Sequence, residues 1–282
     1  MQILITGSGA QAMKKQLVMN ALLLLLIGST SPVQAMEKKE PVKSVYDGLS
    51  LGVGLEYEEG DYGTGDTTRS WVIPVNVRYR SGNMAYEVSV PYISAESDGE
   101  ITIRSAGGRH TTSKSGTTAP QNESGIGDIS FAASYFLPPV PNKELYPFIT
   151  ARVTLDTGDE VAGLGTGESS YAQEFSLDKY LSNDLYFATI GYELINDAPG
   201  VDYDDVLYGL VGMMHPLDRR FSAGGSLYYA QASTPGFDDL VELNALFRQK
   251  LDTSNTLSGY ILLGLSDSAA DWGAGINVRH YF

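Results

Sequence analysis

The chain has 282 residues, no cysteine, 31 glycines, 18 tyrosines and a formal net charge of −15 at pH 7. Lack of cysteine removes disulfide frameworks, thiolate metal sites and cysteine nucleophiles together, and the acidic balance argues against a nucleic-acid partner, which needs a basic surface. The mean hydropathy of −0.11 is that of a soluble protein, but the alternating strands of a membrane β-barrel average to the same value.

Residues 1–35 read as an export signal. Lys14 and Lys15 form a short basic region, residues 21–27 an apolar core, and Val33-Gln34-Ala35 a small-residue cleavage site. The apolar run is too short to cross a bilayer as a helix. Met13 followed by two lysines resembles a natural start, so residues 1–12 read as an extension. Residues 36–47 are then expected to be a short periplasmic segment, and residues 48–282 the folded body.

That body reads as all-β. Residues 49–57 put Leu49, Leu51, Val53, Leu55 and Tyr57 on one face. Residues 71–80 set Trp71, Ile73, Val75, Val77 and Tyr79 against Pro74, Asn76, Arg78 and Arg80. Residues 84–92 set Met84, Tyr86, Val88, Val90 and Tyr92 against Glu87 and Ser89. The same period of two continues at 127–137, 145–156, 170–181, 184–195, 203–215, 219–232, 239–250, 255–266 and 270–282, giving twelve segments near the length a tilted strand needs to cross hydrocarbon. In the last, Trp272, Ala274, Ile276, Val278, His280 and Phe282 oppose Gly273, Gly275, Asn277, Arg279 and Tyr281.

The connections sort by parity. Long polar stretches (58–68, 93–123, 157–169, 196–202, 233–238, then a short 267–269) alternate with tight turns at 81–83, 138–144, 182–183, 216–218 and 251–254. Long loops on one side, short turns on the other and an even strand count predict a transmembrane antiparallel up-and-down barrel of about twelve strands in a bacterial outer membrane. A soluble sandwich gives no reason for such sorting. Tyr57, Tyr79, Tyr92, Tyr146 and Tyr203 at strand ends suit interfacial aromatic girdles. The terminal Phe282 resembles the signal that barrel-assembly machinery reads. Outer-membrane lipid and lipopolysaccharide are the expected surroundings.

Ser124-Gly-Ile-Gly-Asp-Ile-Ser-Phe131 is followed by Arg152-Val-Thr-Leu-Asp-Thr-Gly158, then Gly163-Leu-Gly-Thr-Gly167, Phe175-Ser-Leu-Asp-Lys-Tyr-Leu181 and Gly191-Tyr192. This order resembles the outer-membrane barrels associated with the phenol meta-cleavage (MetA) degradation pathway. The family's Lys and Pro before its Thr-Gly are absent here. The resemblance implies an exported barrel passing small organic compounds, and marks Gly125, Gly127, Asp128 and Gly158. On physical grounds, Gly125 and Gly127 permit a bulge or close backbone approach, and Asp128 can accept from nearby backbone N–H groups.

Catalysis, a cofactor and a metal site are not expected. The histidines His110, His215 and His280 lack partners at ligand spacing. Arg109-His110-Thr-Thr-Ser113 resembles an outer-membrane lipase pair only superficially, within a Gly/Ser/Thr-rich loop. Gly163-x-Gly-x-Gly167 has no helix after it to hold phosphate and reads as a flexible outer loop. Asp202, Asp204, Asp205, Asp238 and Asp239 read as solvated acidic surface. The informative residues are those that alternation turns inward: Glu56, Asn76, Arg78, Arg80, Glu87, Arg152, Glu174, Asp178, Glu193, Glu242, Asn244, Arg248, Asn277 and Arg279. They would line either a charged channel for a small, apolar or aromatic solute or a lumen closed by its own ion pairs in a structural, surface-interaction barrel. The alternation does not choose between the two.

Overall fold

A computed structural model describes residues 47–99, 101–104, 111–113, 121–141, 143–197 and 203–282. The expected export signal at 1–35, the segment to residue 46, Arg109, His110 and Asp202 lie outside the described residues. The strands are β1 (Gly48–Gly60), β2 (Thr68–Ser81), β3 (Met84–Ser97), β4 (Thr102–Arg104), β5 (Thr111–Ser113), β6 (Gln121–Ile126), β7 (Ile129–Phe136), β8 (Leu145–Leu155), β9 (Ser170–Leu181), β10 (Asp184–Ile195), β11 (Val206–Pro216), β12 (Phe221–Ala230), β13 (Leu240–Lys250), β14 (Asn255–Gly264) and β15 (Trp272–Tyr281).

Every pairing in the barrel sheet is antiparallel, and β1 pairs with β15 from Ser50↔Tyr281 to Glu59↔Trp272, so the sheet closes. Both β6 and β7 pair with β3, at Tyr92↔Ile126 and Ser89↔Ser130, and form one wall strand interrupted at Gly127-Asp128. The barrel therefore has twelve strands, as the alternation predicts. The long 93–123 loop is shorter than expected: β3 runs on to Ser97, and the connection carries the small β4–β5 hairpin.

Side-chain exposure decides which face meets what. Along β1, Leu49, Leu51, Val53 and Leu55 are exposed, while Ser50, Gly52 and Gly54 between them are buried. The same inversion holds around the cylinder: Ile73, Val77, Phe131, Ile190, Val211, Leu243, Ile261 and Ile276 point out, and Ser130, Thr150, Ser176, Ser226, Glu242 and Asn244 point in. A soluble sandwich would bury the first set and solvate the second. An apolar exterior over a closed ladder is what hydrocarbon requires, because closure leaves no sheet edge with unpaired N–H and C=O groups. The Tyr57 ring lies tilted against Trp71 at 4.8 Å and Trp272 at 5.1 Å between centroids, forming an outward aromatic cluster at the long-loop end.

Two tyrosines depart from the girdle expectation. Tyr146 sits opposite Asp178 in the β8–β9 ladder, on the inner face, with its ring edge-on to Tyr180 at 5.8 Å. Tyr203 is buried with Ile195, Val206, Tyr228 and Leu240. Parity assigns Tyr146 inward, and Tyr203 precedes β11, where strand parity no longer applies.

Candidate functional site

The inner face is built by alternate positions on each strand, even on β1, β2 and β13 and odd on β3, β10 and β15. Arg78 lies opposite Ser50 and Glu87, Glu87 opposite Ala132, and Ala132 opposite Arg152. Asn76, Glu56, Glu174, Asp178, Glu193, Glu242, Arg248, Asn277 and Arg279 occupy the same face of their strands. Strand direction then gives each its height, which parity alone cannot.

The two signs separate along the axis. Arg78, Arg80, Arg248, Lys250 and Arg279 lie near the short-turn ends of β2, β13 and β15, accompanied by Glu87 and Asp178. Glu56, Glu58, Glu174, Glu193 and Glu242 lie toward the long-loop ends of β1, β9, β10 and β13, with Arg152 as their cation among the described strand residues.

Most of these charges are held. Arg152 Nη2 stands 3.3 Å from Glu174 Oε1, and the Tyr208 hydroxyl donates to the same oxygen at 2.9 Å. The Ser170 hydroxyl donates to buried Glu193. Arg279 reaches Glu87 at 3.5 Å and donates to the Ser50 hydroxyl at 3.2 Å. Arg80 lies 3.8 Å from Asp47, with its guanidinium carbon 4.1 Å from the centre of the Phe136 ring. Phe136 continues to Phe148 at 5.4 Å, and with Tyr146 and Tyr180 makes an aromatic wall beside the arginines.

The long-loop end is filled from above. Residues 158–167 fold into the mouth, burying Leu164 against Ile93, Ala95 and Ile101. Tyr62, fully buried, packs with Leu262 and Ala270, and it does so at a φ of +52°, a left-handed conformation that costs a non-glycine residue about 1–2 kcal/mol. The Tyr203 cluster closes the third side.

The Gly-Ile-Gly-Asp motif explains how that loop is held. Asp128 is 2 % exposed. The backbone N–H groups of Thr157 and Gly158 donate to its Oδ1 at 3.1 and 2.9 Å, and that of Thr166 donates to Oδ2 at 3.0 Å; the Thr166 hydroxyl adds a contact at 3.3 Å. Asp128 thus binds amides 29 to 38 residues away, not the neighbouring ones expected from a strand-start aspartate. Glycine is required where the loop crosses itself: a Cβ on Gly158 would lie 2.8 Å from the Gly165 Cα, and one on Gly165 would lie 2.6 Å from Asp128 Oδ1. Gly125 and Gly127 leave room for Leu164 and Ile93 in the same way. The Gly163-x-Gly-x-Gly167 segment is therefore an anchored plug rather than a flexible outer loop, and nothing in its own composition distinguishes the two.

Elsewhere, the outer carboxylates are partly engaged: the Tyr192 hydroxyl donates to Asp205 at 3.1 Å and that of Tyr229 to Asp239 at 2.6 Å. His215 pairs with Asp184 at the short-turn rim. His280 contacts Asn255 at 2.9 Å and lies edge-on to Phe282 at 4.6 Å.

No family profile and no curated protein sequence matches the chain. Solved structures do. An outer membrane channel from Pseudomonas putida F1 superposes with a TM-score of 0.66 at 11% identity, covering 88% of this chain and 100% of that one. The NanC porin gives 0.51 at 9% identity over 82% and 100% of the two chains. The translocator domain of the autotransporter NalP from Neisseria meningitidis gives 0.50 at 10% identity over 98% of each. At such identities the likeness is one of fold: this chain has the architecture of bacterial outer-membrane β-barrels, an architecture that serves channels and translocators alike.

Proposed function

We propose that the protein is a passive outer-membrane channel for small solutes, its short-turn end facing the periplasm and its long loops the exterior. The observation that carries this reading is the lumen itself. Charged side chains line it from rim to rim in two tiers of opposite sign, and what fills its outer half is loop rather than wall. A barrel that served only as a scaffold would gain more from an apolar or fully paired interior, because buried charge is costly to keep. The likeness in fold to a Pseudomonas outer membrane channel and to NanC porin is consistent with this reading.

The resemblance to barrels of phenol degradation makes small aromatic compounds the solutes to try first, and the wall of Phe136, Phe148, Tyr146 and Tyr180 is consistent with them. In this reading Phe282 is the residue recognised at assembly, and outer-membrane lipid and lipopolysaccharide surround the exterior. The buried Tyr62, Leu164 and Tyr203 favour a second reading, a barrel closed at its outer mouth whose surface loops carry the function. Planar-bilayer recording of the refolded mature chain separates them. Discrete conductance steps, altered by Arg78→Ala and Arg152→Ala, support the channel. Silence across a wide voltage range in wild type and variants alike supports the closed barrel.

A further inference from the structure

At the level of the arginine tier, bordered by the short-turn residues Asn183 and Pro216, lies a chamber of about 560 Å³. Tyr180, Leu185, Met214 and Leu246 are among its apolar lining residues, Arg248 and Lys250 are its charged ones, and no described carboxylate lines it. Among the described residues, three other cations of the inner wall have close carboxylate partners: Arg152 with Glu174, Arg279 with Glu87 and Arg80 with Asp47. Among the described residues, the side chains of Arg248 and Lys250 make no hydrogen bond or ion pair, and both are exposed to the chamber.

We propose that this chamber is a binding site for a small organic monocarboxylate with an aromatic or other apolar body, an assignment that rests on the channel reading and names its solute class. The guanidinium of Arg248 offers a planar fork of donors that matches a carboxylate, and Lys250 adds a second positive charge beside it. The apolar lining has nothing to offer a hydrated inorganic anion, whose shell it would have to strip. It does bury the ring or chain of an organic acid, and the volume falls in the range of small-molecule sites. A neutral aromatic compound would gain the apolar contact alone and leave the two cations without a counter-charge. Arg78, which among the described residues makes no ion pair within 4 Å and feels Glu87 and the like-charged Arg80 and Arg279, extends the positive field along the path to the chamber.

The test is equilibrium binding to the folded mature chain in detergent, measured by calorimetry with benzoate, its neutral counterpart benzyl alcohol, and acetate. Benzoate is expected to bind at least tenfold more tightly than either, and to weaken as ionic strength rises. The double variant Arg248→Gln/Lys250→Gln should weaken benzoate at least tenfold while migrating as a folded barrel on an unheated gel. Arg248→Gln alone, a single exposed substitution, provides the same readout should the double variant fail to fold. Benzoate binding no tighter than benzyl alcohol, equal to acetate, or indifferent to Arg248→Gln would overturn the proposal. Because binding is read without transport, benzoate affinity that persists in a barrel without conductance would sink the channel reading and leave the site standing.

Discussion

The sharpest consequence of the structure concerns Asp128. Replacing it with Asn keeps the shape, removes the charge and turns one acceptor oxygen into a donor. If the remaining oxygen faces Thr157 and Gly158, the amide nitrogen then confronts the Thr166 N–H, which now donates to Oδ2 at 3.0 Å. A hydrogen bond to a charged group contributes about 1.5–3 kcal/mol, and a buried donor left without a partner costs about 1–3 kcal/mol. Losing one bond outright and the charge assistance of the others, less the relief of no longer burying an anion, comes to about 3 kcal/mol. At about 1.4 kcal/mol per factor of ten, the displaced-loop population rises about 100-fold. The expected result is a higher open probability in single-channel recordings, together with faster amide exchange at Thr157, Gly158 and Thr166. Gly158→Ala should act in the same direction, since its Cβ would meet backbone at 2.8 Å, which has no rotamer to escape into. Unchanged amide protection and unchanged gating in Asp128→Asn would refute the view that this carboxylate holds the plug.

Three further outcomes are expected. Arg152→Ala removes the cation of the outer tier; a unit charge about 10 Å from a permeating ion in water is worth about 0.4 kcal/mol, so the cation preference read from the reversal potential in a salt gradient should rise about twofold, and a shift toward anions would contradict the two-tier lumen. The two tryptophans, Trp71 and Trp272, both face outward beside Tyr57; lipids brominated near the headgroup should quench them strongly, whereas quenching only by aqueous acrylamide would place the apolar face in water. Burial, reinforced by Asp128 and Glu160, pushes the Asp156 carboxyl above its ordinary value of 3.8. Its protonated form therefore favours the folded mouth fully below that value, and the contribution disappears as pH rises through the raised one. Thermal midpoints followed across this window should rise on acidification in wild type and show a smaller rise in Asp156→Asn; identical profiles would remove Asp156 as the cause.

The alternation of period two and the sorting of loop length by parity are properties of consecutive residues, so the twelve-strand barrel is legible in the chain itself. Tyr146 was legible on the same rule, since it falls on the inward parity of β8. The separation of charge was not. Arg248 and Glu242 have the same parity on one strand and differ only in height, and height becomes meaningful around the barrel only when closure of β1 on β15 fixes the stagger of all strands. The plug was not legible either. Residues 163–167 have the composition of a solvated loop, and what draws them inward is a carboxylate more than thirty residues earlier. A local pattern determines which face a residue takes, whereas contacts made only after closure determine whether that face encloses a passage or a stopper.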